Sequence, residues 1–307
     1  MTPRCLVLAT RKSRLARRQT EEVVTALAAV HKHLDITLLA LSTRGDEIRD
    51  RALAPLGGKG LFVNRLEEAL AAGRAQLAVH SLKDVPSELA PAFTLAAIPA
   101  RRDPRDVLIT HDDGDLSTLK HGARVGTASL RRQAQLLHAR PDLDIVLVRG
   151  SVETRLAKLD AGELDATVLA AAGLSRLGIQ RGTPLAPEVM LPAPGQGTLA
   201  VEARANDEET IALAAALENR AARVAATAER TFCRTLGATC TSPVGALAAV
   251  ADGQVTLTVR ILPADGSDQL AAEDTTATAD AETLGARLAE TLLAQGAARW
   301  LEDDGRT

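Results

Sequence analysis

Short apolar runs alternate with longer stretches of helical spacing through most of the chain, and two charged or proline-rich breaks interrupt the series. Cys5-Leu-Val-Leu-Ala9 reads as a buried strand, Ser13 to Val30 as a helix, and Ile36 to Leu41 as a second strand. Leu61 to Ala72 reads as a second helix, and Leu77-Ala-Val79 as a third strand ending at His80-Ser-Leu-Lys-Asp84. Apolar strands separated by helices imply a parallel sheet covered on both faces. Ala100-Arg-Arg-Asp-Pro-Arg105 breaks the pattern, which resumes with Val107-Leu-Ile109, Arg124-Val-Gly126, a helix from Ser129, Ile145-Val-Leu-Val148, a helix from Ser151, and Ala166 to Ala172. Leu191-Pro-Ala-Pro-Gly-Gln-Gly197 is the second break, followed by strand-like Thr198 to Glu202 and a helix after Asp207.

Two breaks between two α/β units predict paired domains with a cleft between them, the sheet C-termini facing a ligand. From Val244 the texture changes to alternating strands, with a Pro263-Ala-Asp-Gly266 turn and one amphipathic helix, Glu282 to Ala294. This is a small α+β unit. The chain of 307 residues is long enough for two or three such domains. The expected division is 1–99 with 198–218, 104–193, and 220–307.

Composition limits the ligand. Aromatic residues make up 1% of the chain, with Trp300, three Phe and no Tyr, so no ring platform for nucleic-acid bases can be built. The formal net charge is -3, but residues 247–307 hold 4 Arg against 11 Asp/Glu, leaving residues 1–246 at +4. That excess is too small for non-specific nucleic-acid binding. Cys5, Cys233 and Cys240 form no CxxC pair, which argues against a disulfide framework and a zinc site. The first apolar run is too short for a signal peptide, and no stretch reaches the roughly 20 apolar residues of a membrane span. A reducing, cytoplasmic setting is expected, with no membrane, nucleic acid or metal.

Arg11-Lys-Ser13, Thr127-Ala-Ser129-Leu-Arg131-Arg132 and Arg149-Gly-Ser151 each follow a strand and open a helix, with Ser placed as N-cap. An Arg in the first turn opposes the helix dipole unless an anion lies between them. Alone, each Arg is also readable as a surface residue of a GC-rich coding sequence. Taken together, Arg11, Arg131, Arg132, Arg149, Arg155 and Arg176 predict a polyanion site at one cleft. Gly57-Gly-Lys-Gly60 lacks the spacing of a nucleotide-binding loop, and its glycines suit a lid that swings Lys59 over an anion. Lys83-Asp84, at a strand end, is the acid–base candidate. Cys240 lies in a loop as a nucleophile, an attachment point or an inert thiol, and Cys5 and Cys233 are expected to pack.

The motifs Ala9-Thr-Arg-Lys-Ser13, Thr43-Arg-Gly-Asp46, Gly57-Gly-Lys-Gly-Leu-Phe62, His80-Ser-Leu-Lys-Asp-Val-Pro86 and Arg102-Asp-Pro-Arg-Asp106 occur in order. They are followed by Gly126-Thr-Ala-Ser-Leu-Arg-Arg132, Arg149-Gly-Ser-Val-Glu-Thr-Arg155, Ala171-Ala-Gly-Leu-Ser-Arg-Leu177 and Pro194-Gly-Gln-Gly197. In this order and spacing the chain resembles the porphobilinogen deaminase (hydroxymethylbilane synthase) family. The resemblance implies two doubly wound, periplasmic-binding-protein-like α/β domains flanking a cleft, plus a small α+β third domain. It implies a monomeric transferase of tetrapyrrole and haem biosynthesis that joins four porphobilinogen molecules head to tail into hydroxymethylbilane, releasing ammonia each time.

The same resemblance implies a dipyrromethane cofactor held by a thioether to Cys240. Ser13, Lys83, Asp84, Thr127, Ser129, Arg131, Arg132 and Arg155 would bind that cofactor. Arg11, Arg149, Arg155, Arg176, Ser81, Gln19, Phe62, Lys59 and Gln196 would bind substrate. Asp84, with Lys83, would be catalytic, a buried carboxylate stabilising the cationic azafulvene left when ammonia departs. Two positions depart from the family pattern. Ser151 replaces an Asn, but both cap helices well, so the helix start should survive. Ala238-Thr239 replaces Gly-Gly before Cys240, and because Ala and Thr resist positive φ the loop should take a somewhat different path. The competing expectation is a non-catalytic two-domain anion-binding protein with the same cleft, in which a thiol at Cys240 has no task.

Overall fold

A computed structural model describes residues 4–42, 63–239 and 241–301. Its first sheet has the order β2-β1-β3-β10-β4, built from β1 (Arg4–Arg11), β2 (Leu34–Leu41), β3 (Leu77–Ser81), β4 (Phe93–Ala97) and β10 (Leu199–Arg204). Helix α1 (Arg14–Val30) covers one face and α2 (Asn64–Ala71) the other. The period-two alternation of β1 produces this sandwich: Leu6 and Leu8 pack with Val23 and Leu27, whereas Ala9 faces Leu66 and Leu70. Ser13 caps α1 by accepting a hydrogen bond from the Ala16 amide at 3.2 Å.

The second sheet has the order β7-β6-β8-β5-β9, with β5 (Asp106–Thr110), β6 (Arg124–Thr127), β7 (Asp144–Leu147), β8 (Ala166–Ala170) and β9 (Thr183–Pro184). Its helices are α3 (Leu130–Ala139), α4 (Val152–Asp160) and α5 (Ala171–Leu177). The expected strand from Ala166 to Ala172 therefore ends two residues early and turns directly into α5. After α6 (Glu208–Ala214), the long α7 (Arg220–Leu236) and α8 (Ala281–Ala294) pack on an antiparallel meander of β11 (Val244–Ala251), β12 (Gln254–Ile261) and β13 (Leu270–Ala277). Phe232, Leu257, Leu284 and Leu292 are central to that third core.

The α/β class with a small third sheet is as expected, but the two large sheets are mixed. β10 runs antiparallel to both β3 and β4, and β5 runs antiparallel to β8. The crossings explain why. β4 leaves the first sheet toward the first crossing, and β10 enters from the second at that same end of the strands, between β3 and β4, so the two strands point in opposite directions. A parallel return would need an extra crossover segment of a dozen or more residues. The crossings lie side by side, with the Arg102 amide donating to the Gly197 carbonyl at 3.2 Å. Gly197 has φ +87°, and a Cβ there would stand 2.5 Å from the Arg102 carbonyl oxygen, so only glycine permits the approach.

Candidate active site

β3 ends at Ser81, and Leu82–Asp84 form one 3-10 turn whose Leu82 amide donates to the Thr198 carbonyl at 3.0 Å. The turn sets Lys83 against the second crossing, where its Nζ donates to Gln196 Oε1 at 3.1 Å. Gln196 in turn donates to Asp106 Oδ1 at 3.0 Å. Asp106, fully buried, also accepts from Arg132 Nη2 at 2.8 Å, and its Oδ2 pairs with Arg131 Nη2 at 2.8 Å. Three cations thus surround a single carboxylate, so a net positive cage remains to be balanced by an anion.

The electrostatics agree. Burial pushes the Asp106 carboxyl up, but Arg131, Arg132 and Lys83 outweigh it and hold it at about 2. Burial lowers Lys83 to about 8, and Arg132 adds to the effect, while Asp84 and Asp106 oppose it. Burial, together with the charges of Arg132 and Arg149, lowers Arg155 to about 10. These three arginines are therefore electrostatic neighbours. The Nε atoms of Arg131 and Arg149 are buried with no hydrogen-bond partner among the described residues, which leaves donors available to a ligand.

A cavity of about 470 Å³ opens beside this cage. It is lined by Lys83, Asp84, Ser129 and Arg131 on one side and by Arg230 and the 237–239 loop on the other. Ser129 occupies the N-cap position of α3 but makes no capping bond there, unlike Ser13 and unlike Ser151, which accepts from the Thr154 amide at 3.2 Å. The expectation that all three serines cap is corrected. Thr127 Oγ1 instead accepts from the Ser129 amide at 3.1 Å, so the Ser129 hydroxyl is left facing the cavity. Asp84, expected to be buried, is half-buried because it lines this opening.

The other candidates fall at varied distances from this centre. Gln19 donates to Ser81 Oγ at 2.8 Å, and Arg11 ends β1 just before the Ser13 cap. Arg176 lies apart, held by Glu22 of α1 at 3.0 Å. Lys59, Phe62 and Cys240 lie outside the described residues, as do Thr43-Arg-Gly-Asp46 and the Gly57–Gly60 loop. Before Cys240, Gly237 alone turns left-handed, at φ +76°, whereas Ala238 and Thr239 keep negative φ. Cys233 lines the cavity, and burial pushes its thiol up to about 12. Cys5 does not pack as expected: it is exposed on β1, near the strand's start, on the side opposite Leu6.

Sequence reading assigned no role to three residues that organise this site. Asp106 stands at the first position of an apolar strand, where a charge is indistinguishable from a boundary marker. Arg230 of α7 donates to the Ser87 carbonyl at 3.1 Å and so ties the segment after Asp84 to the third core. Glu229, also fully buried, accepts from Arg101 Nη1 at 2.6 Å, the Gly195 amide at 2.6 Å and the Ala248 amide at 2.7 Å. It joins both crossings to β11. A charge in the middle of an amphipathic helix carries no local signal of such a task.

Fold and site together define an α/β cleft protein with a buried cage of Lys and Arg suited to an anion and Asp84 at the rim of the adjoining cavity. A family model described as porphobilinogen deaminase, dipyromethane cofactor binding domain, matches residues 6–212, and one described as porphobilinogen deaminase, C-terminal domain, matches residues 223–294. Relatives named porphobilinogen deaminase include that of Syntrophotalea carbinolica, 48% identical over 98% of this chain and 96% of its own length. Those of Ralstonia nicotianae and Roseiflexus sp. are 50% and 49% identical, covering 96% and 95% of this chain and 90% and 96% of their own lengths. The chain belongs to the porphobilinogen deaminase family. Membership selects the catalytic reading over a non-catalytic anion-binding protein.

Proposed function

We propose that this chain carries out the reaction of its family, the head-to-tail joining of four porphobilinogen molecules with release of ammonia, at the cavity beside the Lys83–Asp84 turn. The observation that supports this placement is that one cavity is shared by Asp84, the cation cage and the loop leading to Cys240. A dipyrromethane on Cys240 would bring carboxylates to Lys83, Arg131, Arg132 and Ser129, and the unpartnered donors and uncapped hydroxyl there fit such a group. When bound, it supplies the free pyrrole α-carbon to which substrate is added.

The chain's own residues do the rest. Asp84 accepts pyrrole N–H hydrogen bonds and opposes the positive charge that builds as ammonia leaves the aminomethyl group. Lys83, fixed by Gln196, holds a carboxylate beside it. Ser13, Thr127 and Arg155 join the groups proposed to hold the cofactor. Arg11, Arg149, Arg155, Arg176, Ser81, Gln19 and Gln196 are proposed to bind the acetate and propionate groups of incoming units, as are Lys59 and Phe62, which lie outside the described residues. The working units are 1–99 with 198–218, 104–193 and 220–307. A cytoplasmic monomer is part of the proposal; among the described residues no helix is long and apolar enough to cross a membrane.

Intact mass spectrometry is the test. The purified chain should carry an adduct of two linked pyrroles, and Cys240→Ser should lose it while staying folded. Full activity of that variant would overturn the attachment. Asp84→Ala should keep the adduct and lose about 100-fold or more in turnover, whereas near-normal rates would remove Asp84 from the reaction.

A further inference from the structure

One carboxylate at the seam between the two large sheets serves two guanidinium groups. Glu22 lies on α1 just over two turns from its start. Its Oε2 accepts from Arg176 Nε of α5 at 3.0 Å and stands 3.1 Å from Arg102 Nη2 in the first crossing. Its Oε1 accepts from Arg102 Nε at 3.3 Å. Arg102 also donates to Ser175 Oγ at 3.3 Å, so the cluster joins α1, α5 and a crossing. The Arg176 side chain is only 4% exposed, yet its Nη2 is buried with no hydrogen-bond partner among the described residues. A tie serving only to fasten two helices would use that donor, since an unpaired buried donor is costly. Two cations against one anion leave a positive remainder, and one nitrogen of the Arg176 fork has a donor that a carboxylate could take in place of Glu22.

We infer that Glu22 is an internal stand-in for a substrate carboxylate: it occupies Arg176 until a carboxylate of a pyrrole unit takes its place, and Arg102 eases the exchange by sharing Glu22. The inference rests on the proposed function, because it takes the ligand to be a chain of carboxylated pyrroles. Displacement of Glu22 unfastens α1 from α5, so binding of the anion and loosening of the seam become one event. The nearby Arg14–Glu153 pair, 3.4 Å apart and largely exposed, offers little resistance. Glu22 is thus a specificity-setting residue that acts through Arg176 and touches no reacting atom.

The experiment uses the full-length holoenzyme and porphobilinogen. Glu22→Gln removes the competitor, so KM should fall about threefold to fivefold with kcat nearly unchanged, the scale of one partly exposed ion pair. Arg102→Gln leaves Glu22 wholly to Arg176, so KM should rise by a similar factor. Opposite signs are the signature, since a purely structural seam would respond to both losses alike. If both variants raise KM, or neither moves it, the inference is overturned. A wild-type enzyme with neither turnover nor a pyrrole adduct would instead overturn the proposed function.

Discussion

Lys83 combines two opposite pH dependences in one side chain. Its amine is held at about 8 in the folded chain against 10.5 for an ordinary lysine. The unfolded chain therefore binds the proton more tightly, and the stability of the ligand-free fold rises between pH 8 and 10.5 as that proton is lost. A bound carboxylate favours the charged amine, so affinity should fall as pH rises through about 8. KM for porphobilinogen measured across this range should climb above pH 8 in the wild type and flatten in Lys83→Arg, whose charge persists. An unchanged climb in that variant would assign the titration to another group. Asp106 shows the limit of sequence at this scale. Arg131 and Arg132 are legible as anion binders because they open a helix after a strand. Their buried counter-charge, 26 residues from Arg132, is set by three-dimensional neighbours alone.

At the scale of elements, the starts of capped helices are readable to within a residue or two, as α1, α4 and α6 show with Ser13, Ser151 and Asp207 as caps. Strand direction is not readable, because it depends on the end of the sheet at which the chain returns and not on the residues of β5 or β10. The Ser129 hydroxyl escaped for a related reason: propensity favours Ser at a cap, but the competing demand of the cavity lies in other elements. The Pro194–Gly197 segment yields a sharp test. Gly195 has φ +75°, and a Cβ there would stand 2.9 Å from Leu82 Cγ and 3.0 Å from the Lys83 amide. Gly195→Ala should therefore push the Leu82–Asp84 turn and lower turnover at least tenfold. Gly178→Ala, with φ +70° and nothing within 4 Å, should cost about 1 kcal/mol of stability and leave turnover intact. Equal activities in the two variants would show that the turn is not held by this contact.

For the whole molecule, Glu229 is the point where the parts meet. Glu229→Ala leaves Arg101 and two backbone amides unpaired in the interior, and a loss of about 3–5 kcal/mol is expected. The larger effect should be on cooperativity: calorimetry should resolve a separate transition for the third core in the variant and a single transition in the wild type. A single transition at a lower temperature would mean that surfaces other than this carboxylate couple the cores. The paired crossings carry a mechanical consequence. Two adjacent tethers of fixed length, stitched at Gly197 and at the Gln196 carbonyl, which accepts from Arg101 Nε at 2.8 Å, define an axis between the two large units. Turning about that axis strains neither tether, while sliding or shearing would stretch one of them. The units thus share one soft coordinate, and a product lengthening in four equal increments can be accommodated as four settings of a single angle.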